Sequence, residues 1–502
     1  VKPPFAHQVA GTAAVVAHPR YYLGDVMRLG KTRQAIDAAQ VLWERGELDS
    51  VLVVAPGQIA RSVWADLERG QIAEYTRVPA NLTLVRADGV KSWANDLPRD
   101  RPALSWYVTN YELARRPERL EKLLPLCGPR TMLVLDEANA VKSPRSDQTK
   151  ACWKMADRCG RVLLLSGTPN GDNPGDLYAP FKILDWKIVG CSDWFQFRAK
   201  YAKMGGFRRL CKVPETDPKT GRRVWKARRV PVQIVGWVNL EDLYDRTRPY
   251  ILRRTLDEVF DLPPALDPVT VEVPLRPATW AIYRALRDQA LTVLTSGERV
   301  TASQAGVLAL RLSQLTSGLV RVDGDPVDAP RLFSDEKMVA VLEWHAARLN
   351  EDPLFRAVFW CRFRAEAERL AGHLACRVPT RLLYGDQTPD ERAEAVQFLG
   401  PGSPERAAAL VGIAKTGGIG LDLSGASTTA YVSNEYSHVV RAQADARVLG
   451  PNQRRPCAYF DFVATGPEGQ KTVDHAVLRA LQKKEDLATW GAARWAAELG
   501  EE

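Results

Sequence analysis

No apolar run in this 502-residue chain is long enough to cross a membrane. The longest, such as Val51–Pro56, fall far short of the roughly twenty residues a spanning helix needs. VKPPFAHQ, at the start, lacks a basic-then-apolar leader, so no export signal is expected. The eight cysteines (127, 152, 159, 191, 211, 361, 376 and 457) form no Cys-x-x-Cys pair and no cluster with histidine. That argues against a zinc site and against the disulfide framework of short secreted chains. Buried, reduced thiols are expected instead. The six histidines show no metal-ligand spacing, and neither internal repeats nor low-complexity tracts occur.

What is present begins with an ordinary folded composition, 45% hydrophobic and 26% charged, on a length exceeding what one core serves. Two or more domains are therefore expected. The net charge of +9 is localised. Of the 69 Lys and Arg, 12 lie between Arg198 and Arg229, against 2 of the 60 acids, which leaves 57 basic and 58 acidic residues elsewhere. Tyr201, Phe207 and Trp225 are interleaved there, and Trp225 is a candidate for stacking on a base. Basic charge mixed with aromatics suits a phosphate backbone, although charge alone leaves a solvated loop equally open. The other tryptophans read as core or interface fillers.

Short apolar runs alternate with helical patterns. Val51–Ala55, Ser105–Thr109, Met132–Leu135 and Val162–Leu165 read as buried strands, and Thr32–Arg45 as a helix. Glu215–Arg223 reads as the turn of a hairpin. Pro277–Leu319 is helical in pattern. Strands resume at Ala357–Trp360, Arg381–Tyr384, Ala409–Ile413, Thr429–Ser433 and Ala458–Val463, and Lys471–Leu499 spaces its apolar residues as an amphipathic helix. The expected fold is α/β, with two parallel-sheet lobes and a basic insertion: residues 1–190, 191–265 and 266–502.

Three motifs carry chemistry. DVMRLGKT (Asp25–Thr32) stands between a strand, Tyr21–Leu23, and a helix. Backbone N–H groups and the helix dipole can meet phosphates there, with Lys31 on the β and γ phosphates and the Thr32 hydroxyl on Mg²⁺. MLVLDEAN (Met132–Asn139) ends a strand on an acidic pair. Asp136 would bind Mg²⁺ through water, and Glu137 would orient and deprotonate the attacking water. The third is VLLLSGTPNGDNPGDLY (Val162–Tyr178), with Ser166-Gly167-Thr168-Pro169 at its centre.

In this order the motifs resemble those of superfamily-two helicases. Phe5–Gln8 (FAHQ) resembles the adenine-reading Q motif, and DEANAVKSPRS resembles the DEAH-x-x-K-N-x-x-S segment of the Swi/Snf-type branch. Arg248–Pro264, Ala357–Leu370, Leu382–Arg392, Ala414–Ser427 and Gln443–Gln453 are similar to that branch's later motifs, so the likeness covers essentially the whole chain. It implies two RecA-like lobes, ATP and Mg²⁺ as cofactors, and a DNA-dependent ATPase that moves along double-stranded DNA. Gln8, Leu29, Gly30, Lys31, Thr32, Asp422 and Gln443 would hold ATP, and Arg447 would join Lys31, Asp136 and Glu137 in catalysis. Ser166, Gly167 and Thr168 would couple the cleft to the track. Lys415, Thr416 and Gly417 would contact nucleic acid, as would Arg208, Arg209, Arg222, Arg223, Arg228 and Arg229 of the insertion.

Four positions depart from the family pattern: Val26 for Glu, Asn139 for His, and in the last motif Gly450 for a second Arg and Asn452 for Gly. An arginine at the γ-phosphoryl is worth about 10³–10⁵ in rate, so Gly450 raises the alternative of a hydrolysis-impaired, nucleotide-dependent clamp. An RNA-directed helicase is the other alternative. A monomer without membrane attachment is expected, with no appended reader, nuclease or zinc domain. The Arg/Ala-rich composition with five methionines points to the cytoplasm of a bacterium, or of a phage's host.

Overall fold

The computed structural model describes residues 3–66, 70–86, 89–94, 102–167, 174–216, 223–295, 302–320, 331–404, 406–417, 421–483 and 498; within 206–233, and at 90, 293–295, 302–304, 389, 416 and 417, this covers the backbone alone. The chain divides into two compact units, Val1–Thr255 and Leu256–Glu502. The basic segment falls inside the first of them.

The first unit is built on β1 (Arg20–Leu23), β2 (Ser50–Ala55), β3 (Ala80–Arg86), β4 (Gly89–Ala94), β5 (Leu104–Asn110), β6 (Thr131–Asp136) and β7 (Arg161–Leu165). Val51 through Ala55 are fully buried. A run apolar at every position suits a central parallel strand, which helices cover on both faces. The sheet order is β10-β1-β7-β6-β2-β5-β3-β4, with β10 (Ile251–Leu252) returning from the end of the unit to pair with β1. Every neighbouring pair is parallel except β3 with β4 at the edge. Helices α1 (Ala6–Ala17) and α2 (Lys31–Glu44) flank β1 in the chain.

The basic segment is a two-stranded antiparallel ribbon, β8 (Ala202–Thr216) with β9 (Arg223–Trp237). Fifteen residues per strand make it roughly 50 Å long. At its base Val238 N donates to Tyr201 O at 2.8 Å, and Phe197 meets Trp237 edge-on. The hairpin reading holds, with the turn at 217–222 outside the described residues.

The second unit contains β11 (Val269–Pro274), the short antiparallel pair β12 (Leu319–Val320) and β13 (Arg331–Leu332), then β14 (Arg356–Cys361), β15 (Thr380–Leu383), β16 (Ala408–Ile413), β17 (Thr428–Tyr431) and β18 (Ala458–Thr465). Its main sheet is entirely parallel, in the order β11-β18-β17-β14-β16-β15. Two helices, Pro277–Thr295 and Ala302–Thr316, occupy the stretch expected to be helical. Trp280, Tyr283 and Leu312 from them share a core with Val473, Val477 and Leu481 of helix Val473–Gln482. The terminal amphipathic helix therefore braces this unit over the part described.

One expectation needs correcting. Five cysteines are buried, but Cys376 is exposed and Cys127 half-buried. Cys376 ends the helix Arg364–Ala375, where the chain leaves the core and its Sγ donates to Gly372 O. The Cys211 side chain lies outside the described residues.

Candidate active site

The phosphate loop leaves β1 at the carboxyl end of the sheet. Arg28 (φ +71°) and Gly30 (φ +70°) take left-handed conformations that turn the chain into α2. Only glycine suits position 30: beyond the positive φ, a Cβ there would lie 2.2 Å from Gln8 Nε2. Lys31 Nζ donates to the carbonyls of Asp25 (2.7 Å) and Val26 (3.2 Å), so its ammonium sits within the loop, and Thr32 occupies the first turn of α2. The fully buried Leu29 offers its carbonyl to His7 Nε2 (3.0 Å), Gln8 Nε2 (3.5 Å) and Gln34 Nε2 (3.0 Å). Gln8 in turn accepts from Phe5 N at 3.0 Å. Gln8 is thus seated on the loop by its own hydrogen bonds.

Asp25 and Arg254 form a buried tie that sequence reasoning missed. The Asp25 carboxylate is fully buried and receives Arg254 Nε at 2.9 Å, Arg254 NH2 and Gln34 Nε2 at 3.2 Å. Arg254 also donates to His7 O and, at 3.0 Å, to Gln34 Oε1. Backbone bonds from Gly24 N to Leu252 O and from Val26 N to Arg254 O extend β10 along the loop. Sequence spacing gives no sign of this tie.

The acidic pair ends β6, two strands from β1. Asp136 is 6% exposed; its Oδ2 accepts from Trp64 Nε1 at 2.7 Å, and its Oδ1 from Glu137 N at 2.9 Å. The buried Tyr111 hydroxyl holds the Asp136 carbonyl at 2.8 Å. Burial raises the Asp136 pKa above the usual carboxylate range, against the opposing pull of the Trp64 N–H, the Lys31 charge and the Glu137 N–H. Glu137 adopts a left-handed conformation (φ +51°), which turns the chain sharply at the sheet edge.

Between these groups runs the end of β7. Ser166 is fully buried, its N donates to Leu23 O, and its hydroxyl hydrogen-bonds that of Tyr22. A Cβ at Gly167 would come 3.1 Å from Met27 Cγ, so the absence of a side chain lets this motif touch the phosphate loop. Thr168 lies outside the described residues. At the same end of the sheet opens a cleft of about 490 Å³ whose lining includes Arg61, Arg86 and Arg116 against the single acid Glu112, a net basic surface that charge counting along the chain did not show.

In the second unit, Asp422 Oδ1 accepts from Ser424 N (3.0 Å) and Oδ2 from Asn452 Nδ2 (3.2 Å). Arg447 is 4% exposed, follows helix His438–Asp445, and is joined to the same loop through Leu423 N to its carbonyl. Gln443 is half-buried on that helix, and Gly450 is buried in the turn leading to Gln453. The Gln453 amide is saturated, with Nε2 donating to Ser424 O, Ala426 O and Val448 O while Oε1 accepts from Arg454 N and Arg455 N. Lys415 is exposed in the turn after β16, followed by Thr416 and Gly417. Of the insertion arginines, 208, 209, 223, 228 and 229 are placed on the ribbon by backbone only, and Arg222 lies outside the described residues, as does the Trp225 side chain.

A lysine inside a phosphate loop, a threonine at the next helix start and a buried carboxylate held by donors on both oxygens fit a nucleotide with its divalent cation. Among the described residues no group of three or more His, Cys, Asp and Glu is placed to hold a metal, and no helix is long and apolar enough to cross a membrane. The fold and this site define the chain as a phosphate-loop nucleotide-binding protein with two parallel-sheet units.

A model of the SNF2-related domain matches residues 20–316, and the chain belongs to that family, the Swi/Snf-type branch of superfamily-two ATPases. It is 23% identical over 499 residues to the DNA repair and recombination protein RAD54-like of Danio rerio, covering 93% of this chain and 63% of that one. It is 22% identical to the SWI/SNF-related matrix-associated actin-dependent regulator of chromatin subfamily A-like protein 1 of Drosophila melanogaster, covering 94% and 54%. The chain thus spans less than two thirds of either relative. A solved structure, the Sulfolobus solfataricus SWI2/SNF2 ATPase core in complex with dsDNA, is similar at 19% identity and a TM-score of 0.40, covering 96% of this chain and 91% of that one.

Proposed function

We propose that this chain is an ATP-driven motor that tracks along double-stranded DNA, hydrolysing ATP in step with DNA contact. The observation that carries the reading is the convergence of Lys31, Asp136, Glu137, Ser166 and Gly167 at one carboxyl edge of one sheet, in a chain of the SNF2-related family.

Lys31 and the loop N–H groups bind the β and γ phosphates, and Gln8, seated against Leu29, reads the base. Thr32 and Asp136 would hold Mg²⁺, which would supply positive charge against the phosphates. Glu137 orients the attacking water and accepts its proton. In the second unit the family pattern assigns Asp422 and Gln443 to nucleotide and Arg447 to the charge that builds on the γ-phosphoryl. Ser166 and Gly167 touch both Tyr22 and Met27, so a change in loop geometry reaches the strand end that leads to the track. DNA contact falls to Lys415, Thr416 and Gly417, to the ribbon arginines, and to the basic cleft at Arg61, Arg86 and Arg116.

Phosphate release measured with saturating duplex DNA, single strands or RNA tests the reading. Duplex DNA is expected to stimulate turnover most. Equal or stronger stimulation by RNA overturns the choice of substrate, and nucleotide binding without turnover on any of the three identifies a clamp.

A further inference from the structure

We infer that Trp64 is a positioning residue for the magnesium site, fixing the Asp136 carboxylate through its indole N–H. The inference rests on the reading of Asp136 as the Mg²⁺-side carboxylate.

Trp64 closes a single π-helical turn, Ala60–Trp64, in which Ala65 N reaches back five residues to Ala60 O. Such turns are rare and recur at functional sites, because the extra residue re-aims a side chain. Here the turn sends the indole inward from the loop after β2, past β2 itself, to the end of β6. Trp64 is fully buried, and its ring lies 6.5 Å from that of Trp106 on β5. Packing alone would be served by any large apolar ring. The N–H, however, meets Asp136 Oδ2 at 2.7 Å, while Glu137 N holds Oδ1 at 2.9 Å and Tyr111 holds the backbone carbonyl at 2.8 Å. Three donors from three chain segments therefore fix both the tilt of the carboxylate and its height above the sheet. A carboxylate has about four acceptor positions, so donors on both oxygens still leave lone pairs for a hydrated cation. Groups that orient a metal-side ligand in this way typically contribute about 10- to 100-fold to metal affinity or activity.

Histidine and phenylalanine separate the two roles. Trp64→His keeps an N–H at the corresponding place on a five-membered ring but loses apolar volume; Trp64→Phe keeps apolar volume but loses the donor. In the full-length chain, titration calorimetry with ATPγS, with and without Mg²⁺, gives the gain in nucleotide affinity that magnesium confers. The wild type is expected to show a clear gain, and Asp136→Asn to lose it. Trp64→Phe should cut the gain by about tenfold or more with its metal-free affinity unchanged, and Trp64→His should recover part of it. Trp64→Leu serves as the donor-free variant if Trp64→Phe does not fold. A wild-type gain in Trp64→Phe, or a smaller gain in Trp64→His than in Trp64→Phe, overturns the positioning role. A wild type with no magnesium gain, or Asp136→Asn that keeps it, overturns the reading of the site and this inference with it.

Discussion

Asp25 stands where a strict phosphate-loop pattern has glycine, and the structure gives its side chain a task. It is a fully buried carboxylate neutralised by Arg254 and hydrogen-bonded by Gln34. Removing one partner of such a pair leaves an uncompensated buried charge, at a cost on the order of 3–5 kcal/mol. Arg254→Ala is accordingly expected to lower the thermal midpoint of the first unit substantially, and Asp25→Asn combined with Arg254→Met much less. Equal losses in the single and combined variants would show that the tie contributes through shape rather than charge. His345, on the helix Glu336–Glu351 of the second unit, is a different buried titratable group. It is fully buried, neither ring nitrogen has a hydrogen-bond partner, and its ring lies near those of Phe355 and Phe359. Burial, helped by the charge of Arg377, lowers its pKa from 6.5 to about 4. The unfolded chain therefore takes up a proton at a higher pH than the folded one. The stability that His345 contributes is intact above pH 6.5 and drains away as the pH falls towards 4. His345→Leu should flatten the fall in the urea midpoint of the second unit across that window, and an unchanged slope would remove His345 from the account.

At the scale of elements, the basic ribbon is the feature whose role most needs a measurement. A two-stranded ribbon standing outside the main sheets has little core of its own, and the hairpin carries most of the chain's positive excess. If its arginines engage phosphates, each contact releases a condensed counterion, and the log–log salt slope of binding is about −0.9 per contact on duplex DNA. Neutralising Arg222, Arg223, Arg228 and Arg229 together should flatten that slope and weaken all sequences alike, leaving DNA-free ATP binding intact. A slope identical to wild type would place the grip elsewhere, with the cleft at Arg61, Arg86 and Arg116 next in line. The ribbon and the buried strands were legible in the sequence because each is a local pattern: charge density in one case, uninterrupted apolar runs in the other. The edge pair β3 and β4 was not, since ANLTLVR and GVKSWA are half-polar segments whose pairing only the fold reveals. In the site, the loop, the acidic pair and Ser166-Gly167 could be read from their neighbours in the chain. Trp64 and Arg254 could not, because their partners lie 72 and 229 residues away, and nothing local singles out Asp136 for an indole or Asp25 for that particular arginine.

At the scale of the whole molecule, one parallel-sheet unit bears the phosphate loop and the acidic pair, and a second bears Asp422, Gln443 and Arg447. Neither unit alone holds all the residues assigned to turnover, so hydrolysis should require both and, on the proposed reading, respond to DNA. The departures at Gly450 and Asn452 make the rate itself informative. Asn452 bonds Asp422, and Gly450 is buried in a turn, so the remaining arginine of that motif is Arg447. The most direct measurement is phosphate release by the full chain with and without saturating duplex DNA, run beside Glu137→Gln, with ATP binding measured separately for both. The account predicts slow basal release that duplex DNA raises severalfold, and a Glu137→Gln variant that binds ATP as well as wild type but releases almost no phosphate under either condition. Release that ignores DNA, or that continues undiminished in Glu137→Gln, would contradict it.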